Sequence, residues 1–355
     1  MSPEAPPVET LLLGAGGFLG LHTLDALRDL GVEPRCGRRR RSNVLGLRSR
    51  KARMVPADLD DADSLRAAMD GCEVVVHAAG HYPKTSLDPQ AALELGLRQT
   101  HAVLEAAVAA KVRRLVYVST TSTVAPAPDG GPSDERHTWS APPPFGTYHA
   151  LKWQMERAVL AEDRLEIAVA CPAACLGPGD LRVGTSALLV ATSRGMDPPH
   201  PDGTVPVVDA RDVGRAVARL ATLADPPRRV LLAGSNHRLQ ELLSLAAARY
   251  GVAPPSPPVD AATAIALADA AEAAVEGTAQ RPALSREIVD LVVHGLPLSC
   301  ALAEARLGLS WTPLSTTLDD FDAWARRLGI VPPPPETAPC SPPPTRTAST
   351  GSSPT

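Results

Sequence analysis

The chain has 355 residues, 44% of them hydrophobic, and a formal net charge of −4. That is enough to bury a full core and suggests about two domains. The charge balance offers no global positive field for nucleic acid or an anionic membrane. The longest nearly uncharged apolar stretch, near Leu11 to Leu24, is interrupted by glycines and His22. It is too short and irregular to span a bilayer. The first residues, Met1 to Glu9, lack the basic and then apolar order of a secretory signal. Six cysteines, at 36, 72, 171, 175, 300 and 340, form no C-x-x-C pair and no zinc-like spacing. We read them as buried free thiols and expect a cytoplasmic protein. Aromatic residues make up only 3%, so Leu, Val and Ala must build the core.

In chain order, the first element is an apolar strand over Thr10–Leu13 that runs into Gly14, Gly17 and Gly20 in G-x-x-G-x-x-G spacing. A helical pattern over Leu19–Leu30 follows. Gly14 permits the tight turn, Gly17 lets the backbone approach a pyrophosphate, and Gly20 lets helix and strand pack closely. The helix N-terminus then faces the anion. Further strands are expected at Ala52–Val55, Glu73–Ala78, Arg114–Ser119 and Leu165–Ala170. The helical patterns between them lie at Ala62–Met69, Pro89–Ala110 and Tyr148–Glu162. Continuous apolar strands alternating with helices describe an α/β, Rossmann-type doubly wound parallel sheet, here assigned to residues 8–172.

After Pro172 helical segments recur at Ser186–Ser193, Val213–Ala221, Gln240–Tyr250, Ala261–Val275 and Leu318–Leu328. Strand-like runs at Val205–Val208 and Val230–Ala233 are interleaved among them. We read 173–330 as a smaller, mainly helical substrate lobe, with segments such as 205–234 completing the sheet. Residues 332–355, rich in Pro, Ser and Thr, read as a disordered tail.

Tyr148 and Lys152 are four apart on a helical pattern, so they share one face. A phenol titrates near ~10, too high for acid–base work at neutral pH unless a nearby cation favours the phenolate. Just upstream, Ser119-Thr120-Thr121-Ser122-Thr123 ends a strand on the side where a cofactor should lie. One of these hydroxyls could orient a substrate carbonyl, and the others could equally cap the strand.

Together these motifs resemble an extended short-chain dehydrogenase/reductase of the NAD-dependent epimerase/dehydratase and dihydroflavonol-reductase-like group, over most of residues 8–330. The resemblance implies that Tyr148 donates a proton, that Lys152 lowers its pKa and holds the nicotinamide ribose, and that Thr121, with Thr120 as neighbour, polarises the carbonyl. It assigns the cofactor to Gly14, Gly17, Phe18, Leu19 and Gly20, to Asp58 and Leu59 beside adenine, to Ala78, Ala79 and Gly80 after the fourth strand, and to Lys152 and Pro172. The segment Cys171–Asp180 resembles the family's R-P-x-x-v-y-G-P, with Cys171 in place of Arg. Gly96 stands where the family often has Asn.

Cofactor choice turns on the end of the second strand. No acid occurs between Pro34 and Asp58, and Arg38 to Arg41 lie there. Arginine accommodates a 2′-phosphate, whereas an acid would take the ribose hydroxyls of NAD. We expect NADP, through Arg38 and Arg39, with NAD as the alternative; the bland reading is a solvated basic loop. The function expected is reduction of a ketone or aldehyde on a small hydrophobic metabolite. A nucleotide-sugar epimerase or dehydratase with retained NAD, and a non-catalytic cofactor-binding protein, are the alternatives. Arg182 and Arg194 are the candidates for a sugar diphosphate. The partner expected is a small-molecule substrate, in a chain that could pair as a homodimer.

Overall fold

The structure is a computed structural model, and it describes residues 8–333 apart from positions 84, 182, 279 and 281. Arg182, Cys340 and the expected tail from residue 334 onward lie outside the described residues.

In chain order the elements are β1 (Thr10–Leu13), α1 (Phe18–Asp29), β2 (Arg35–Arg38), α2 (Leu45–Ser49), β3 (Met54–Pro56), α3 (Ala62–Met69), β4 (Val74–His77), α4 (Pro89–Ala109) and β5 (Arg114–Val118). A 3-10 turn at Thr121–Thr123 follows. Next come α5 (Thr147–Leu160), β6 (Glu166–Pro172), β7 (Ala174–Leu176), α6 (Ala187–Ser193), β8 (Thr204–Asp209), α7 (Ala210–Thr222), β9 (Arg229–Leu232) and β10 (Ser235–Arg238). Five helices finish the described chain: α8 (Leu239–Tyr250), α9 (Ala261–Ala273), α10 (Arg286–Val293), α11 (Ala301–Leu307) and α12 (Leu314–Arg327).

Seven strands form one parallel sheet in the order β3-β2-β1-β4-β5-β6-β9. Its central strands are buried on both faces, which is why they read as unbroken apolar runs. One face packs against α3, α4 and α5, and the other against α1, α7 and α11. The chain reverses direction across the sheet between β1 and β4. A crevice therefore opens at the carboxyl ends of those two strands, where doubly wound sheets bind ligands.

The region after Pro172 divides between layers. β9 pairs with β6 through Pro172↔Leu232 and closes the main sheet, and α7 buries its apolar stripe against α1 and the strands. β7, β8 and β10 form a separate three-stranded sheet, which gives the region more strand than the helical pattern suggested.

Two local differences have clear causes. The strand expected at Ala52–Val55 begins later, at Met54, because α2 and a turn at Lys51 with φ of 50° occupy the residues before it. β2 reads Arg-Cys-Gly-Arg, with only Cys36 and Gly37 buried, so it carries no apolar run. Among the described residues no helix is long and apolar enough to cross a membrane. The five described cysteines are buried and free.

Candidate active site

Gly14 leaves β1 with φ of 80°, and a Cβ there would stand 2.6 Å from the Ala78 carbonyl carbon. A side chain would thus be strained in backbone and would strike the segment after β4. At Gly20 a Cβ would overlap the Gly14 carbonyl and lie 2.9 Å from Ala15 Cα, so glycine there sets how closely α1 approaches the turn. Gly17 is the N-cap of α1. It supplies no side-chain cap, and the first turn, which carries Phe18, Leu19 and Gly20, holds no acid. The N–H groups of that turn are left for an outside acceptor, and the helix dipole favours an anion. These features fit the pyrophosphate of a dinucleotide.

Parallel register places Leu12 opposite Cys36, so Arg38 stands level with Gly14. Around it four arginines are paired, Arg28 with Glu33, Arg35 and Arg53 with Glu9, and Arg50 with Asp25, while Arg48 of α2 has no carboxylate partner among the described residues. Arg38, Arg39, Arg40 and Arg41 have no carboxylate partner among the described residues. Asp58 follows β3 half-buried, its N–H donating to Ser64 Oγ, and Leu59 packs into the core. Ala78 donates its N–H to the Leu13 carbonyl at 3.0 Å. Ala79 and Gly80, the latter with φ of 146°, continue along the crevice. Pro172 ends β6 on the same side of the sheet.

The two residues expected to do the acid–base work lie on α5, where Tyr148 and Lys152 are 6% and 9% exposed. Burial pushes the Tyr148 phenol well above its ordinary range, and the nearby Tyr82 phenol adds to this; hydrogen bonding from Thr120 opposes it. Desolvation therefore sets the direction at Tyr148, and the opposing contact is Thr120 rather than the Lys152 expected from the sequence. Lys152 Nζ sits 5.9 Å from the Tyr117 ring centroid. Burial pulls this amine down to about 8, with the Glu156 carboxylate acting in the opposite sense. His77, buried on β4, is held neutral, lowered to about 3 by burial and then by Lys152.

The hydroxyls after β5 divide their tasks. Ser119 Oγ and Thr123 Oγ1 turn to Glu156, the latter at 2.8 Å. Thr120 is the hydroxyl set against the Tyr148 phenol, whereas Thr121 opens the 3-10 turn with no side-chain hydrogen bond among the described residues. Of the two neighbours, Thr120 is thus the one whose hydroxyl acts on the phenol. At Gly96 a Cβ would stand 2.6 Å from Leu151 Cδ1 and 3.1 Å from Met155 Sδ. Helix α5 fills the volume that an asparagine there would need.

A model of the NAD dependent epimerase/dehydratase family matches residues 10–233. The chain belongs to that family. Among curated relatives, a protein provisionally named dihydroflavonol 4-reductase in Synechocystis sp. is 25% identical over 325 residues, covering 90% of this chain and 94% of the relative. A 4-hydroxy-2-methyl-3-oxo-4-farnesyl-3,4-dihydroquinoline-1-oxide ketoreductase from Stigmatella aurantiaca is 33% identical over 158 residues, 43% of this chain and 45% of the relative. A solved nucleoside-diphosphate-sugar epimerase from Pseudomonas aeruginosa superposes with a TM-score of 0.77 at 25% identity, covering 92% of this chain and 99% of that one. This family member is an NAD(P)-dependent oxidoreductase of the extended short-chain type.

Three further side chains border the site. Tyr82 lays its ring on that of Tyr148 at 4.7 Å between centroids. Glu287 of α10, almost fully buried, accepts the Tyr148 N–H at 2.8 Å and the Ser86 hydroxyl at 2.6 Å. It caps the first turn of α5 from 139 residues away, where the helix dipole favours a carboxylate. Glu156 is bonded by Arg229 Nε at 2.8 Å. Arg229 comes from β9, so the guanidinium near this carboxylate arises one strand away from Cys171. Only the Y-x-x-x-K spacing, extended one turn to Glu156, could have drawn attention to that group.

Proposed function

We propose that the protein reduces a ketone or aldehyde on a small hydrophobic metabolite with NADPH, Tyr148 donating the proton. The observation that carries the cofactor choice is the run of four arginines Arg38–Arg41 at the end of β2, none of which has a carboxylate partner among the described residues, whereas Arg28, Arg35, Arg50 and Arg53 nearby do. Guanidinium groups without carboxylates at this strand end suit a 2′-phosphate.

Gly14, Gly17, Phe18, Leu19 and Gly20 would hold the pyrophosphate, Arg38 and Arg39 the 2′-phosphate, and Asp58 and Leu59 would stand beside adenine. Ala78, Ala79, Gly80 and Pro172 would line the nicotinamide half, with Lys152 on its ribose. Bound there, the nicotinamide supplies the hydride to the carbonyl carbon. The protein's part is to place the carbonyl oxygen at the Tyr148 phenol, with a hydroxyl from Thr120 or Thr121 polarising it. Burial keeps the phenol protonated, which suits a donor in the reductive direction. The proton passes to the developing alkoxide and the product is the alcohol. Tyr82 shields the phenol from water and presents an apolar ring to the substrate side.

A second reading, a nucleotide-sugar epimerase with retained NAD, is favoured by the superposition on the Pseudomonas aeruginosa epimerase. Against it, Arg194, a candidate for a sugar diphosphate, donates to the Ile330 carbonyl at 3.1 Å. The deciding experiment titrates purified protein with NADPH and NADH, then screens apolar ketones, aldehydes and nucleotide sugars for turnover. We expect NADPH to bind about tenfold tighter or more, as charge-assisted bonds to a phosphate imply. The double variant Arg38→Ala, Arg39→Ala removes the preference. Equal affinity in the unmodified protein defeats the arginine argument. Retained NAD with no net oxidation of NADPH establishes the epimerase reading instead.

A further inference from the structure

Lys152 and Glu156 lie one turn apart on α5, behind the catalytic tyrosine. Glu156 is 4% exposed, and its bonding capacity is largely filled. Oε1 accepts from Arg229 Nε at 2.8 Å. Oε2 accepts from Ser119 Oγ, from Thr123 Oγ1 at 2.8 Å and from Cys171 Sγ at 3.5 Å. Arg229 also donates to Thr123 Oγ1 and to the Glu135 carbonyl, both at 3.1 Å. The carboxylate thus ties the end of β5, β6 and β9 to the catalytic helix. It cannot swing away without orphaning a buried guanidinium.

Lys152 lacks any such set: among the described residues its Nζ makes no hydrogen bond and faces the Tyr117 ring. The titratable groups around it come from five elements. They are His77 on β4, His81 in the loop after it, Tyr117 on β5, Tyr148 and Glu156 on α5, and Cys171 on β6, with Arg229 on β9 behind Glu156. His77 is held neutral by burial, and burial likewise holds Tyr117 and Cys171 in their neutral forms. Glu156 is the carboxylate of this group.

We propose that Glu156, fixed by Arg229, Ser119, Thr123 and Cys171, is a positioning residue that supplies the counter-charge keeping buried Lys152 in its ammonium form beside the cofactor site. This rests on the reading of Lys152 as a ribose-binding cation, and its test requires no turnover. Lys152 is one of only four lysines in the chain, so protein labelled with 13Cε-lysine gives four resonances to follow against pH. Lys152→Arg identifies the one of interest. In Glu156→Gln the Lys152 midpoint is expected to fall by one pH unit or more, a tenfold loss of proton affinity, with the other three unmoved.

An unchanged midpoint in a folded Glu156→Gln protein overturns the proposal. Should that variant fail to fold, 13Cδ-glutamate labelling of the unmodified protein decides. A glutamate resonance that moves with the Lys152 midpoint supports the pairing, and none doing so overturns it. If an NADPH-linked activity is found, its alkaline limb should move down in Glu156→Gln by the same interval. Failure of every carbonyl substrate would defeat the reductase reading while leaving the titration to judge Glu156.

Discussion

Lys152 is where function and stability pull hardest against each other. Burial pulls its ammonium from an ordinary 10.5 to about 8, and a tenfold weakening of proton binding corresponds to about 1.36 kcal/mol. The folded protein binds this proton more weakly than the unfolded chain does. The cost is therefore complete below about pH 8, declines between about 8 and 10.5, and is gone above that window. Integrated, this gives a penalty of about 3 kcal/mol at pH 6.5 and about 1.4 kcal/mol at pH 9.5.

Lys152→Met keeps an unbranched side chain, one heavy atom shorter, and removes the charge. It also loses the contact with the Tyr117 ring, worth about 2 kcal/mol for a desolvated pair, which is smaller than the gain at pH 6.5. We expect the variant to be more stable than the unmodified protein in urea at pH 6.5, by about 1 kcal/mol once that contact is subtracted. The advantage should at least halve by pH 9.5. Activity should be lost as well, if Lys152 is the ribose-binding cation proposed above. A variant that is less stable at pH 6.5, or whose difference does not change with pH, would refute the assignment of a buried, charge-strained amine.

Tyr148→Phe should abolish turnover while leaving NADPH affinity within about twofold; full activity would show that the proton comes from elsewhere. Thr120→Val should lower kcat by about tenfold or more and Thr121→Val by less, because Thr120 is the hydroxyl set against the phenol. The reverse order, measured under saturating substrate, would return the role to Thr121. Gly20→Ala should cost about 1–3 kcal/mol in denaturant unfolding, since its methyl would meet backbone. Gly17→Ala, whose Cβ would meet only the Gly14 carbonyl oxygen at 3.2 Å, should be milder in stability and show mainly as weaker cofactor binding in the same titration.

What the chain reveals without its fold is whatever is encoded over short spans. The glycine turn is legible because a strand, a left-handed backbone position and a helix start follow one another within about a dozen residues. Tyr148 and Lys152 are legible because helical spacing alone puts them on one face. The arginines after β2 are legible as charge, although β2 itself is obscured by its own polar composition. The central strands announce themselves because burial on both faces leaves them mostly apolar, with polar residues such as Thr10, His77 and Arg114 only at their ends.

The tertiary structure decides what distant segments do to those same residues. Thr120 rather than Thr121 meets the phenol because the 3-10 turn rotates successive hydroxyls in different directions, a rotation no spacing rule foretells. Glu287 reaches the first turn of the catalytic helix from α10, and Arg229 reaches Glu156 from the last strand of the sheet. Neither partner has a local signature, since each lies 73 or more positions away in the chain. The charge state of the site is likewise a property of the fold. Desolvation raises the tyrosine and lowers the lysine, and desolvation exists only once the surrounding strands and helices have closed over them.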